Sequence, residues 1–351
     1  MDHTLATDMP LEMLDHLPEG YISRPARMED LDGVLETINA ATRDLIGVDK
    51  FTVTDYKVDW ELPAFNLDTG TRLVLAPDGE VAGIFEFWDI YDPYTRFIVW
   101  GRVHPRHEGK GVGSHLLAWV DHRAAEAIEK SPPGARVVLH AFVPSIIQGA
   151  DALFVDNGYS LIRHSLRMVI DLDGTPPVPN WPAGIEVRSL RVGEEEAQVI
   201  RAVRESFKDH WRYIEGSFEE EYERWMHRIH NDEHFDPALW FLAMDGDEIA
   251  GISLCWGNAF DDPDMGWVGT LGVRRPWRRR GLGLALLQHS FAEFYRLGKP
   301  RAGLGVDAQN LTGAMRLYTK AGMRSDPRHQ HSFYEKELRP GVELSTQTVE
   351  G

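Results

Sequence analysis

The chain has 351 residues, 43% of them hydrophobic and 26% charged, an ordinary balance for a protein of about two domains with sizeable cores. Acidic residues outnumber basic ones, 55 against 37, giving a net charge of −18, a field that opposes nucleic acid and anionic membrane and favours cationic partners. A single cysteine, Cys255, excludes a disulfide-stapled fold; with no basic-then-apolar leader over residues 1–20 and no apolar run of membrane-spanning length, a cytoplasmic protein is expected.

Residues 1–19 read as an extension, and a first unit is expected over 20–172. It opens with an alternating strand, Tyr21–Arg24, and a polar-start helix, Glu29–Ala41. Arg72–Ala76 and Val81–Trp88 flank the turn Pro77-Asp78-Gly79-Glu80, a hairpin signal. The glycine loop His104–Gly113 follows. Residues 173–184 read as a linker, because Pro176, Pro177, Pro179 and Pro182 deny helix and ladder bonds.

A second unit, expected over 185–340, repeats this order. Strand Ile185–Arg188 and helix Glu194–Phe207 are followed by a hairpin, Trp240–Met244 and Ile249–Trp256 around Asp245-Gly246-Asp247-Glu248. Val268–Val273 then reads as a strand, leading into the basic loop Arg274–Gly281 and a helix with Leu286, Leu287, Phe291 and Phe294 on one face. Residues 341–351 read as a tail. The repeat is explicit: Val103, Gly111, Gly113, Leu116 and Leu117 recur 170 positions later as Val273, Gly281, Gly283, Leu286 and Leu287. Leu153, Phe154 and Gly158 recur 164 positions later as Leu317, Tyr318 and Gly322.

Five arginines within Arg274–Arg280 concentrate positive charge before a helix N-terminus, where exposed amides bind phosphate. A dinucleotide fingerprint fits poorly, since its third glycine is absent and hairpin strands precede the loop. A nucleic-acid patch is at odds with the acidic chain.

The run Arg278-x-x-Gly281-x-Gly283 resembles the pyrophosphate-binding signature of the GNAT acyltransferase superfamily, which uses acetyl-coenzyme A. Val306-Asp307-Ala308-Gln309-Asn310, continuing through Ala314, Leu317-Tyr318 and Gly322, resembles its second motif. The duplication is similar to that of mycothiol-synthase-like two-domain members. The resemblance implies two tandem α/β (α+β) units, each a mostly antiparallel twisted sheet flanked by helices. It implies that amides of Arg279, Arg280, Gly281, Leu282, Gly283 and Leu284 cradle the pyrophosphate beside Arg278, with Leu271 and Val273 pairing with the pantetheine arm from a splayed strand. Asn310 would contact that arm or cap the next helix.

By the same resemblance Tyr318 is the acid for the departing thiol, with packing beside Leu317 as the plainer role. The family's strand carboxylate is missing, since the stretch reads Met265-Gly266-Trp267-Val268. Asp264 is the nearest candidate base, or simply part of an acidic turn with Asp261 and Asp262. In the first unit Glu108, Phe154 and Ile146 replace motif residues, so it is expected to be silent, though its backbone could still hold a coenzyme. The implied function is direct acetyl transfer in the second unit from acetyl-coenzyme A, the co-substrate, to an amine of a small molecule; a non-catalytic coenzyme-A sensor is the alternative. No nucleic acid, membrane or metal is expected, and oligomeric state stays open.

Other features are read more plainly. His227, His230 and His234 lie in a charged stretch and read as a solvated face. His329 and His331 lie near the last strand, on the presumed acceptor side. Phe207–Trp225, with Trp211, Tyr213 and Phe218, reads as helix packing or an acceptor wall, and Cys255 as a buried strand residue.

Overall fold

The computed structural model describes residues 17–147, 149–309 and 313–346. They form two compact units: residues up to Ile162 with Ser332–Leu344, and Arg163–His331 with the residues from Ser345.

The first unit runs β1 (Ile22–Arg24), α1 (Leu31–Ile46), α2 (Val53–Trp60), α3 (Leu67–Gly70), β2 (Thr71–Leu75), β3 (Val81–Trp88), β4 (Arg96–Val103), α4 (Val112–Ala127), β5 (Val137–Pro144), α5 (Ala150–Asp156) and the start of β6 (Ser160–Asp171). Its strands lie in the order β1-β2-β3-β4-β5, antiparallel except for β4 with β5. α1 buries Leu31, Val34 and Ile38, spaced for one helical face, with Leu73 and Ile84. α4 buries Leu116, Leu117 and Val120 in a second core with Phe87, Phe97 and Leu139. Gly47 ends α1 at φ 81°, where a left-handed residue closes the last turn.

The second unit continues β6 and adds β7 (Ile185–Ser189), α6 (Glu196–Phe207), α7 (Phe218–Asn231), β8 (Trp240–Asp245), β9 (Glu248–Trp256), β10 (Met265–Val273), α8 (Leu282–Arg296), β11 (Arg301–Asp307), α9 (Ala314–Lys320) and the first half of β12 (Arg324–Arg339). Strand order is β6-β11-β10-β9-β8-β7, with only β10 and β11 parallel. The helical and hairpin segments expected from sequence are these elements. The stretch 207–225 is not one helix, however: α6 ends at Phe207 and α7 begins at Phe218. Cys255 is wholly buried on β9, its thiol pushed up to about 11 by burial, so it is inert. Among the described residues no helix is long and apolar enough to cross a membrane.

The unit bounds differ from the sequence-based 20–172 and 185–340 at two places. Ser165–Asp171 of β6 pair with β11, placing them in the second unit. Residues 332–344 belong to the first, where Arg136 binds Glu335 at 2.8 Å and the Val342 amide donates to the Gly134 carbonyl at 2.8 Å. Proline content marks a break in hydrogen bonding, whereas the unit boundaries fall within β6 and β12.

A bulge in β10 opens the sheet of the second unit. β10 pairs with β11 only from Met265↔Arg301 to Val268↔Leu304. Its register with β9 shifts between Val268 and Thr270, a bulge at Gly269 that turns β10 away from β11. In the first unit β3 and β4 stay in register from Gly83↔Val103 to Trp88↔Ile98, without a bulge.

Below the splay the packing is tight: a Cβ on Gly266 would lie 2.4 Å from the Phe294 ring of α8. Gly266→Val is expected to cost about 2–3 kcal/mol by overpacking. The check is a lowered urea midpoint at constant slope; an unchanged midpoint would mean that Phe294 swings aside freely.

Candidate active site

The loop joining β10 to α8 is built by backbone conformation. Arg275–Trp277 make one tight turn, Arg279 sits at φ 61° and Gly281, the N-cap of α8, at φ 86°. Gly109 holds the corresponding left-handed place in the first unit, at φ 71°. The second loop thus carries at Arg279 a conformation that side chains disfavour. Among the described residues no acceptor meets the amides of Arg279, Arg280, Gly281, Leu282 or Gly283, whereas the Leu284 amide, expected in the same run, donates to the Gly281 carbonyl at 3.1 Å. Open amides at a helix N-terminus favour a bound anion.

The five arginines divide in two. Arg274 binds Glu205 and Glu248, and Arg275 binds Asp209. Arg278 donates to the Val273 carbonyl and the Ser206 carbonyl, each at 2.9 Å, and also to Asp209. Arg278 therefore braces the loop against α6 and β10 and directs its charge at the Asp209 carboxylate. Arg279 and Arg280 are exposed and, among the described residues, have no partner. Asp209 is buried, and its hydrogen bonds from Arg275 and then Arg278 hold its carboxyl far below the usual carboxylate range.

Between the splayed strands lies a cavity of about 590 Å³, the size of a small-molecule site. Gly269, Leu271 and Val273 line it from β10, Gly305 and Asp307 from β11, and Tyr318 from α9. Gly281, Gly283, Arg278 and Arg279 close one end. Arg280 is not among the lining residues, and Asn310 lies outside the described residues. The Tyr318 side chain is buried, makes no hydrogen bond among the described residues, and has its phenol pushed up to about 12 by burial.

Asp264 is not brought to this cavity. It is exposed in a turn before β10, its amide donating to Asp262 Oδ1 at 3.1 Å. Five residues of strand separate it from Gly269, about 16 Å. His329 is held between Asp261 at 3.2 Å and Asp326 at 2.9 Å. His227 and His230 lie on α7. His210 does line the cavity, together with Phe207 at the end of α6. Asp209 and His210 were missed in the sequence because the aromatic pattern of 207–225 reads as packing and masks the two titratable residues within it.

The first unit departs at the matching places. Phe154, where the repeat has Tyr318, stacks on Tyr334 with centroids 5.0 Å apart, and Tyr334 binds Asp151.

A sequence profile of the acetyltransferase (GNAT) family matches residues 37–137 and 200–323. A mycothiol acetyltransferase of Thermobispora bispora is 29% identical over 257 residues, covering 72% of this chain and 80% of the relative. One of Geodermatophilus obscurus is 31% identical over 231 residues, 63% of this chain and 68% of the relative. A GCN5-related N-acetyltransferase from Sphaerobacter thermophilus superposes with TM-score 0.75 at 34% identity, over 95% of this chain and all of that one. A tandem GNAT protein from the clavulanic acid pathway, 18% identical with TM-score 0.64 over 92% of this chain and 100% of that chain, shares the fold. With the repeat, the splayed strands and the glycine loop, these matches place the chain in the acetyltransferase (GNAT) family as a tandem-domain acyltransferase.

Proposed function

We propose that the second unit moves an acetyl group from acetyl-coenzyme A to an amine of a small molecule by direct attack, without a covalent enzyme intermediate. The observation that carries this reading is one cavity with open amides and Arg279 at one end and the unpartnered hydroxyl of the buried Tyr318 on its wall. The amides from Arg279 to Gly283 hold the pyrophosphate, with Arg279 and Arg280 adding charge. The free edge of β10 beyond Gly269 takes the pantetheine arm, and an amide there faces the developing oxyanion. Tyr318 stays protonated at neutral pH and hands its proton to the departing sulfur, whose thiol has a pKa of about 8.5 by analogy with cysteine. Acetyl transfer is the activity named for the relatives, and the charge of −18 favours a cationic acceptor. Phe154 and the unbulged β4 support a silent first unit.

The test is calorimetric titration with acetyl-coenzyme A. One site per chain is expected, weakened at least tenfold by Arg279→Glu with Arg280→Glu and most strongly at low salt. Unchanged binding by Lys110→Glu in the first unit would agree. No heat at millimolar ligand would overturn the reading.

A further inference from the structure

We propose that His210 is the base that takes the acceptor's proton in the second unit, a role that rests on the acetyl-transfer reading and fills the place of the missing strand carboxylate. His210 sits in the loop after α6, pinned on both sides. Its amide donates to the Phe207 carbonyl at 2.9 Å, and its carbonyl accepts from the Tyr213 amide at 3.0 Å. The tail tightens the same loop, with the Arg212 amide donating to the Thr346 carbonyl at 2.7 Å and the Thr346 amide to the Tyr213 carbonyl at 2.9 Å. The ring rests on Phe207, centroids 4.4 Å apart, and lines the cavity that Tyr318 lines. Among the described residues neither ring nitrogen has a hydrogen-bond partner, so one is open to an amine or a bridging water.

Competing bases are already committed. Asp307 is bound by Arg163 at 2.6 Å, and Asp209 by Arg275 and Arg278. The charged groups facing His210 are Asp209 beside it, Arg278 from the loop before α8 and Asp307 from β11. Burial first, then Arg278, lowers its pKa from the ordinary value, against the smaller opposing pull of Asp209 and Asp307. The imidazole is thus neutral, and competent as a base, at pH 7. In the reaction the nitrogen–carbon bond forms as the carbon–sulfur bond breaks. The proton shed by the amine goes to the imidazole, and that of Tyr318 goes to the sulfur. Solvent then carries a proton from imidazolium to phenolate, restoring both.

Thiol release from acetyl-coenzyme A is measured from pH 5 to 9 with spermidine, glucosamine and a panel of other primary amines. Wild-type rate is expected to fall on acidification as the imidazole charges, with the limb displaced to the acid side of an ordinary imidazole. His210→Gln should lose about 100-fold in kcat and that acid limb, with calorimetric affinity for acetyl-coenzyme A unchanged within about threefold. Should His210→Gln fail to bind the coenzyme, His210→Ala is read instead, and added imidazole should restore its rate. A His210 variant within about threefold of wild type, with the acid limb intact, overturns the assignment alone. Wild type that binds acetyl-coenzyme A but acetylates no amine overturns the acetyl-transfer reading, and this one with it.

Discussion

Tyr318→Phe is expected to lower kcat by about 100-fold or more while affinity for acetyl-coenzyme A and folding stability hardly change. The hydroxyl makes no hydrogen bond among the described residues, so its removal breaks nothing structural, and a phenyl ring fills the same buried place in α9. The loss would lie in chemistry alone: without the phenol, the departing sulfur leaves as a thiolate. Because burial holds the phenol at about 12, the group stays protonated across the neutral range, and no basic limb from its own titration should appear below about pH 9. The measurements are steady-state kinetics by thiol release and calorimetric binding. A variant with full turnover would remove Tyr318 from the reaction. Equal silence of wild type and variant, with binding intact, would favour the coenzyme sensor.

The second large effect is expected at Asp209. Its side chain is 4% exposed, and both Arg275 and Arg278 converge on it. Asp209→Ala leaves Arg278 facing α6 without its anion, and losing one partner of a buried pair costs about 3 kcal/mol. Arg275 is 60% exposed, so its share is small. The variant should also bind acetyl-coenzyme A more weakly, because Arg278 is what ties the loop to the Ser206 and Val273 carbonyls. The acid dependence has a definite sign. A carboxyl held below its unfolded pKa of about 3.9 contributes stability above that pH and loses it on further acidification. Wild type should therefore lose stability below about pH 4 more steeply than Asp209→Asn, as read from urea midpoints at pH 5, 4 and 3. Parallel curves would mean that the pair is already broken in solution.

The parts of the fold that sequence made legible are those written in local chemistry. The Asp-Gly hairpins, the glycine loops and the apolar face of α8 each need only a few neighbouring residues, and the duplication displays them twice. What stayed illegible depends on partners far along the chain. The bulge at Gly269 is a mismatch between β9 and β10, invisible in β10 alone. Arg278 reads as an anion ligand from its motif, yet Asp209, 69 positions earlier, captures it. Asp264 reads as near the site because it is near in number, whereas an extended strand carries it away. His210 was overlooked for the opposite reason, since nothing local connects the end of α6 with a cavity between β10 and β11.

The composition of the two compact units bears on how such a chain can change over generations. Duplicated genes usually shed the copy that loses its activity. Here residues 332–344, encoded after the second repeat, complete the first unit, while Arg163–Leu172, encoded within the first, belong to the second. A deletion of either repeat at the proline-rich segment would therefore leave a protein lacking one of its own strands. Whichever copy carries the activity, the gene has no seam at that segment at which the other could be cut away whole.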